Sequence, residues 1–176
     1  MRTDLNWPVD ETTADEQLKL DKVTVPVDVL LDGGDRLTGE IYLLPVVETE
    51  CRKECVIDLV RSPEPFLPLG TKGELRMINK GHIVLLHVPN PSEAGLDDAT
   101  ELFHHEERVS LELAGVPESD RWIEVAVKWS APADRSRLLD HLNDVGDWIA
   151  VEDESGLALI ATHSIVTVRP LADRSP

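Results

Sequence analysis

The chain has 176 residues, 41 % of them hydrophobic, with 17 Lys/Arg against 34 Asp/Glu and a formal net charge of −17. That apolar fraction belongs to a folded chain rather than a disordered one, the length allows one domain or two small ones, and no apolar run approaches the roughly 20 residues that span a membrane. Both halves are acidic, with 10 Lys/Arg and 16 Asp/Glu in residues 1–88 and 7 and 18 in residues 89–176, so phosphate backbones and anionic membranes are repelled.

The first residues, "MRTDLNWPVDETTADEQ", lack the basic start and apolar stretch of a secretory signal, which predicts a cytoplasmic protein. Thr13 and Glu16 have the spacing of a capping box ahead of "QLKL", a short helical lead-in. "VPVDVLL" alternates as a half-buried strand does, Asp32-Gly33-Gly34 supplies a tight turn, and "RLTGEIYLL" is a second strand closed by Pro45. "CRKEC" holds Cys51 and Cys55; three intervening residues are not the two of a zinc knuckle, and the pair reads as reduced thiols. "RKECVIDLVRSPE" is open to strand or helix, and a helical turn is favoured. "PFLPLG", "ELRMINKG" and "HIVLLHV" are three more strands, the last two joined at Asn79-Lys80-Gly81.

"PNPSEAG" is a linker in composition, and the boundary falls near Asn90. "LDDATELFHHEERV" then reads as a helix capped by Asp97 or Asp98. "VSLELAG" and "RWIEVAVKW" are strands, "DRSRLLDHLNDVG" is a short helix stopped by Gly146, and "DWIAVED", "LALIATH" and "SIVTVRP" are strands again.

These two series echo each other. Ile78, Ile83 and Val84 return as Ile160, Ile165 and Val166, each 82 positions on. The offset is read without a gap: Val27, Val29 and Leu31 fall on Val109, Leu111 and Leu113, and Ile41 and Leu43 on Ile123 and Val125. Asp58 falls on Asp140, Phe66 on Trp148 and Leu75 on Leu157. Matches that are mostly apolar and keep their spacing predict one fold written twice. The expected organisation is residues 12–89 as repeat 1, 90–98 as linker and 99–171 as repeat 2. Each is a small curled five-stranded antiparallel barrel preceded by a short helix, so the fold class is all-β with short helices.

The pattern V-x-V-x-L-x-x-G then G-x-I-x-L, carried by Val27, Val29, Leu31, Gly34, Gly39, Ile41 and Leu43, resembles the first signature of the Sm-like family. "MINKGHI", with Ile78 and Ile83 at its apolar positions, resembles the second. "RLLDHLNDVGDWIAVED" with its hairpin also resembles a small bacterial domain marked by Arg-Leu-x-Asp-x-Leu-Asn, an aromatic and Ile-Asn-Lys. Together the likenesses cover residues 23–88 and 105–170 and imply tandem SH3-like small barrels. Sm-like proteins grip RNA with an Asp…Asn segment after strand two and an Arg-Gly in the last hairpin. The pairs standing in those hairpins here are Asn79-Lys80 and Ala161-Thr162.

Candidate chemistry is sparse. His104, His105, Glu106 and Glu107 could offer metal ligands, but neighbours on a helix face different ways, and a solvated interdomain helix is the expectation. Asp58 and Asp140 could do carboxylate work; a cap that orders each turn is the simpler role. No Gly-x-Ser-x-Gly, P-loop or His-Glu-x-x-His motif occurs. No catalytic residue, metal or cofactor is therefore expected. Phe66 and Trp148 read as a core exchange. Trp122 and Trp129 stand where the first repeat has Glu40 and Val47, and an exposed Trp marks a partner surface. The candidate interaction residues are Trp7, Trp122, Trp129, Asn79, Lys80 and His82. The expected role is a non-enzymatic interaction or assembly module that binds a protein or itself, with no membrane or small-molecule substrate. RNA binding of the Sm-like kind is the alternative.

Overall fold

The computed structural model describes residues 23–44, 54–90, 105–131, 137–153 and 156–172. Trp7, His104, the Thr13–Glu16 lead-in and most of the linker lie outside the described residues.

The described chain is all-β with short helices. Its elements are β1 (Val23–Leu31), β2 (Arg36–Leu43), helix α1 (Val56–Arg61), β3 (Phe66–Thr71), β4 (Glu74–Asn79) and β5 (Ile83–Val88). There follow β6 (His105–Leu113), β7 (Trp122–Trp129), helix α2 (Leu138–Asp144), β8 (Trp148–Asp153), β9 (Gly156–Ala161) and β10 (Ile165–Pro170). Alternation makes the strands: Val25, Val27 and Val29 are buried while Thr24, Pro26 and Asp28 face out. Pro26 has no N–H to give, and β1 meets β5 only from Asp28 onward, so the ladder loses nothing there. The segment open to strand or helix is helical over Val56–Arg61, as favoured, and its partner is helical over Leu138–Asp144. Asp58 accepts a hydrogen bond from the Cys55 N–H at 2.9 Å and so closes the start of α1.

The ten strands form one antiparallel sheet in the order β10-β6-β7-β8-β9-β5-β1-β2-β3-β4. Each half runs fifth, first, second, third, fourth, and the halves meet where β5 pairs with β9, from Leu85 opposite Ile160 to Val88 opposite Leu157. Equivalent main-chain bonds recur 82 residues apart. Asp32 N–H donates to His82 O at 2.9 Å and Ala114 N–H to Ser164 O at 2.8 Å. Lys80 N–H donates to Pro65 O at 2.8 Å and Thr162 N–H to Asp147 O at 2.9 Å.

Two expectations fail here. The offset is not ungapped. Val29 pairs with Leu37 and Leu111 with Ile123, so β7 stands 86 residues after β2. The longer β6–β7 loop, with a 3-10 turn at Glu118–Asp120, takes up the difference. The counterparts of Trp122 and Trp129 are therefore Arg36 and Leu43, not Glu40 and Val47. Second, "HHEERV" is not helical from His105 onward. His105 pairs with Trp129 and the strand runs on to Leu113, because a long β7 offers a full ladder to fill.

Apolar side chains gather in two clusters. The first holds the inward faces of β1–β5 and α1, and it also includes Trp148, Leu157, Leu159 and Ala161 from the other half. The second holds Val109, Leu111, Val127, Ile149, Val151 and Ile160, joined by Leu30 and Val84 from the first half. The β8–β9 hairpin is thus buried on both faces. Ile149, Val151, Ala158 and Ile160 face their own core, while Trp148, Leu157 and Leu159 cover the neighbour's. Each fully buried Leu or Ile contributes about 1.5–3 kcal/mol, so this covering hairpin is a main bond between the halves.

Candidate functional site

The sheet leaves two outermost strands, β4 and β10. Along β4, Leu69 stands opposite Arg76 and Leu67 opposite Ile78 on the core side. Phe66, Leu75 and Met77 belong to the other face, where Phe66 pairs with Asn79 and Met77 with Pro68. They are 52 %, 58 % and 60 % exposed, whereas Trp148, Leu157 and Leu159 at the positions 82 residues on are 4 %, 2 % and 0 % exposed. An apolar strip beside a row of unpaired strand groups is a surface that proteins ordinarily blunt. Phe66 is therefore not the core exchange for Trp148 that the sequence suggested: its side chain stands half in the open, while farther along the same face of β3 the Tyr42 ring lies over Gly70.

At the other end the contrast is reversed. Leu139 on α2 is 64 % exposed where Ile57 on α1 is 7 %. Ile165 and Val168 are half-buried where Ile83 and Leu86 are fully buried, and Val166 is exposed where Val84 is buried. The first core has a lid made of the β8–β9 hairpin; among the described residues the second has no equivalent hairpin. The rest of this end is polar. The Glu112 carboxylate accepts from Arg121 Nε at 2.9 Å and from Thr167 Oγ1 at 3.0 Å, and these bonds hold its pKa below the usual carboxylate value. The guanidinium of Arg169 lies 5.1 Å from the centre of the Trp122 ring.

The expected interaction residues are scattered. Trp122 is exposed under Arg169. Trp129 is buried, correcting its reading as a partner surface. It lies between the rings of His105 at 5.4 Å and His141 at 5.6 Å, and among the described residues its Nε1–H has no partner. Burial lowers the pKa of His141, with Asp144 opposing. Lys80 is also buried rather than presented. Its ammonium donates to Leu59 O, to Ser62 O at 3.0 Å and to Ser62 Oγ at 2.7 Å, tying the β4–β5 turn to the end of α1. Desolvation lowers its pKa, and the Glu64 carboxylate partly restores it. Thr162, 82 residues on, does the same task by donating to Gly146 O at 2.9 Å. Asn79 accepts from Gly81 N–H at 2.9 Å and shapes the turn. His82 Nδ1 lies 2.8 Å from an Asp32 carboxylate oxygen in the open.

Asn79, Lys80 and Gly81 also line a cleft of about 320 Å³ between the halves, with Ser62, Glu64, Trp148 and His163. Of its two cations, Arg61 and Lys80, the Lys80 ammonium is already engaged by the end of α1. Asp58 and Asp140 sit in the first turns of separate helices, one in each half, so they do not form a pair. Among the described residues no group of three or more His, Cys, Asp or Glu could hold a metal ion, and no helix is long and apolar enough to cross a membrane. The strip of Phe66, Leu75 and Met77 was missed in the sequence, although the alternation of "ELRMIN" already put Leu75 and Met77 on one face and Ile78 on the other. Comparison with protein-family models, characterised proteins and solved structures returns no match.

Proposed function

We propose that the chain is a non-enzymatic interaction and assembly module built from two Sm-like small barrels fused in tandem. The observation that carries it is the strip of Phe66 on β3 and Leu75 and Met77 on β4, beside an edge that no described strand pairs. The shared strand order of the halves, their equivalent hairpin-to-helix bonds and their two core clusters support the tandem reading. The net charge of −17 favours a protein over a nucleic acid as partner. Asp58, a candidate for carboxylate work, caps a helix, and Lys80, a candidate interaction residue, holds the end of that helix.

The test is affinity capture with the tagged chain and with its Met77→Glu variant, after both are shown to melt alike. A stoichiometric protein, or untagged copies of the chain, recovered by the first and lost by the second is the expected result. Equal recovery by both, or recovery of nothing, would sink the reading.

A further inference from the structure

We propose that the β4 edge of one chain seats on β10 of a second copy, head to tail, repeating between chains the β9–β5 junction found within each chain. This rests on the interaction reading above and names its partner.

Each surface needed for that contact already exists in a filled and an empty version. Inside the chain, Trp148, Leu157 and Leu159 of β8–β9 cover the first core. Phe66, Leu75 and Met77 hold the equivalent places on β3–β4 and cover no core among the described residues. The core that such a strip fits is the second one, where Leu139, Ile165 and Val168 lack the lid that buries Ile57, Ile83 and Leu86. Both strands involved, β4 and β10, end the sheet with one side of the ladder open. Donor face, acceptor face and hydrogen-bonding edges therefore agree on the same partner.

The register transfers directly. Leu85 opposite Ile160 and Val88 opposite Leu157 become Thr167 opposite Ile78 and Pro170 opposite Leu75 in the next chain. The two faces differ, so the contact is heterologous. It uses one donor and one acceptor per chain, and copies add until a ring closes or a filament runs on.

The interchain joint is weaker than the internal one, for reasons visible in the residues. Pro170 stands where β5 has Val88 and offers no N–H. Arg169 meets Arg76, where the internal junction has His87 opposite Ala158. Each chain also carries 17 net negative charges. The association is reversible, depends on concentration and strengthens with salt as the net charge is screened.

Two experiments on the purified full chain test this. Sedimentation velocity from micromolar to millimolar should show mass rising with concentration, more so at high salt. Met77→Glu should weaken it at least tenfold while the melting temperature holds. Pro170→Val restores the residue and the N–H of the internal junction and should tighten it about fivefold, the value of one net hydrogen bond. In the second experiment, Leu75→Cys and Pro170→Cys chains are mixed under mild oxidation. Opposed strand residues lie within disulfide reach. A cross-linked dimer should form in the mixture and in neither variant alone, with the unsubstituted chain as control for Cys51 and Cys55.

A single-chain mass throughout, even for Pro170→Val, would overturn head-to-tail pairing. So would a Leu75→Cys dimer formed without the other variant, which signals a symmetric β4–β4 contact. If self-association is absent but a different protein is captured and lost with Met77→Glu, the interaction reading stands and self-pairing falls.

Discussion

Leu159 and Met77 occupy equivalent places in their halves, yet one is 0 % and the other 60 % exposed. Truncating each to Ala should therefore give sharply unequal costs. Leu159 faces Leu86 across the β9–β5 junction and lies in the first core cluster. Removing its isobutyl group loses the transfer energy of three carbons and leaves a cavity flanked by both halves. Neither half can close that cavity without breaking the ladder, so the cost is about 3–4 kcal/mol. For a cooperative unit of this size the midpoint falls by roughly 6–16 °C. Met77→Ala removes an exposed side chain and should stay within about 0.5 kcal/mol. The assay is urea denaturation of both variants at low micromolar concentration, where contacts between chains are absent, followed by tryptophan fluorescence. Equal costs would mean that the halves do not share the β9–β5 junction. A change in the denaturant slope for Leu159→Ala would mean that the halves unfold separately, which the shared hairpin opposes.

Lys80→Ala strips three hydrogen bonds from the end of α1 and should cost about 1–3 kcal/mol by denaturant titration, while Thr162→Val, with one bond to lose, should cost about 1 kcal/mol. Gly39→Ala places a Cβ 2.4 Å from Gly70 O, so β2 and β3 must part, at about 1–3 kcal/mol; a melting point equal to that of the unsubstituted chain would refute the close approach. For pH, burial lowers the pKa of His141, so the unfolded chain binds the proton more readily than the folded one. Its contribution is intact above about pH 6.5 and is lost as pH falls through the lowered value. Midpoints measured from pH 8 to 5 should fall for the native chain and fall less for His141→Gln. The Glu112 pKa is lowered by Arg121 and Thr167, which adds a second loss of stability at more acid pH that Glu112→Gln should remove.

Ten strands and two helices could be read from the residues because each depends on local pattern. Val25, Val27 and Val29 alternate with polar neighbours, and Gly33 and Gly34 take φ of 89° and 91° in the turn the sequence marks. What could not be read depended on which strand lies beside which. The shift from 82 to 86 in β7 escaped because four is even: moving a strand by four residues keeps every side chain on its face, and Ile123 and Val125 serve as well as Val127 and Trp129. An odd shift would have put polar residues inside. Trp122 and Trp129 are seven apart, so one strand had to turn them to opposite faces, and only one could be a partner surface. The burial of Lys80 carried no such signal. An ammonium that reaches the carbonyls at the end of α1 from a 3-10 turn is a tertiary fact, and local pattern marks the same residue as exposed.

The differences between the halves fall where their coverings differ. Leu30 and Leu85 pair across β1 and β5 under the second core, and their equivalents across β6 and β10 are Glu112 and Thr167. Two leucines there would lie open on the last strand of the sheet. The carboxylate and hydroxyl bond each other instead, and Arg121 takes the remaining charge. Pro170 at the end of β10 removes a donor from the same edge. The β3–β4 hairpin shows no such retreat: Phe66, Leu75 and Met77 stay as apolar as the residues buried at the internal joint. Solvation alone would favour polar residues at both ends, since both face water in the single chain. The strand pair at the β10 edge follows that rule, but Leu139 and Val166 beside it do not, and the β4 edge does not, so these two apolar surfaces are the parts of this molecule that solvent exposure by itself does not explain.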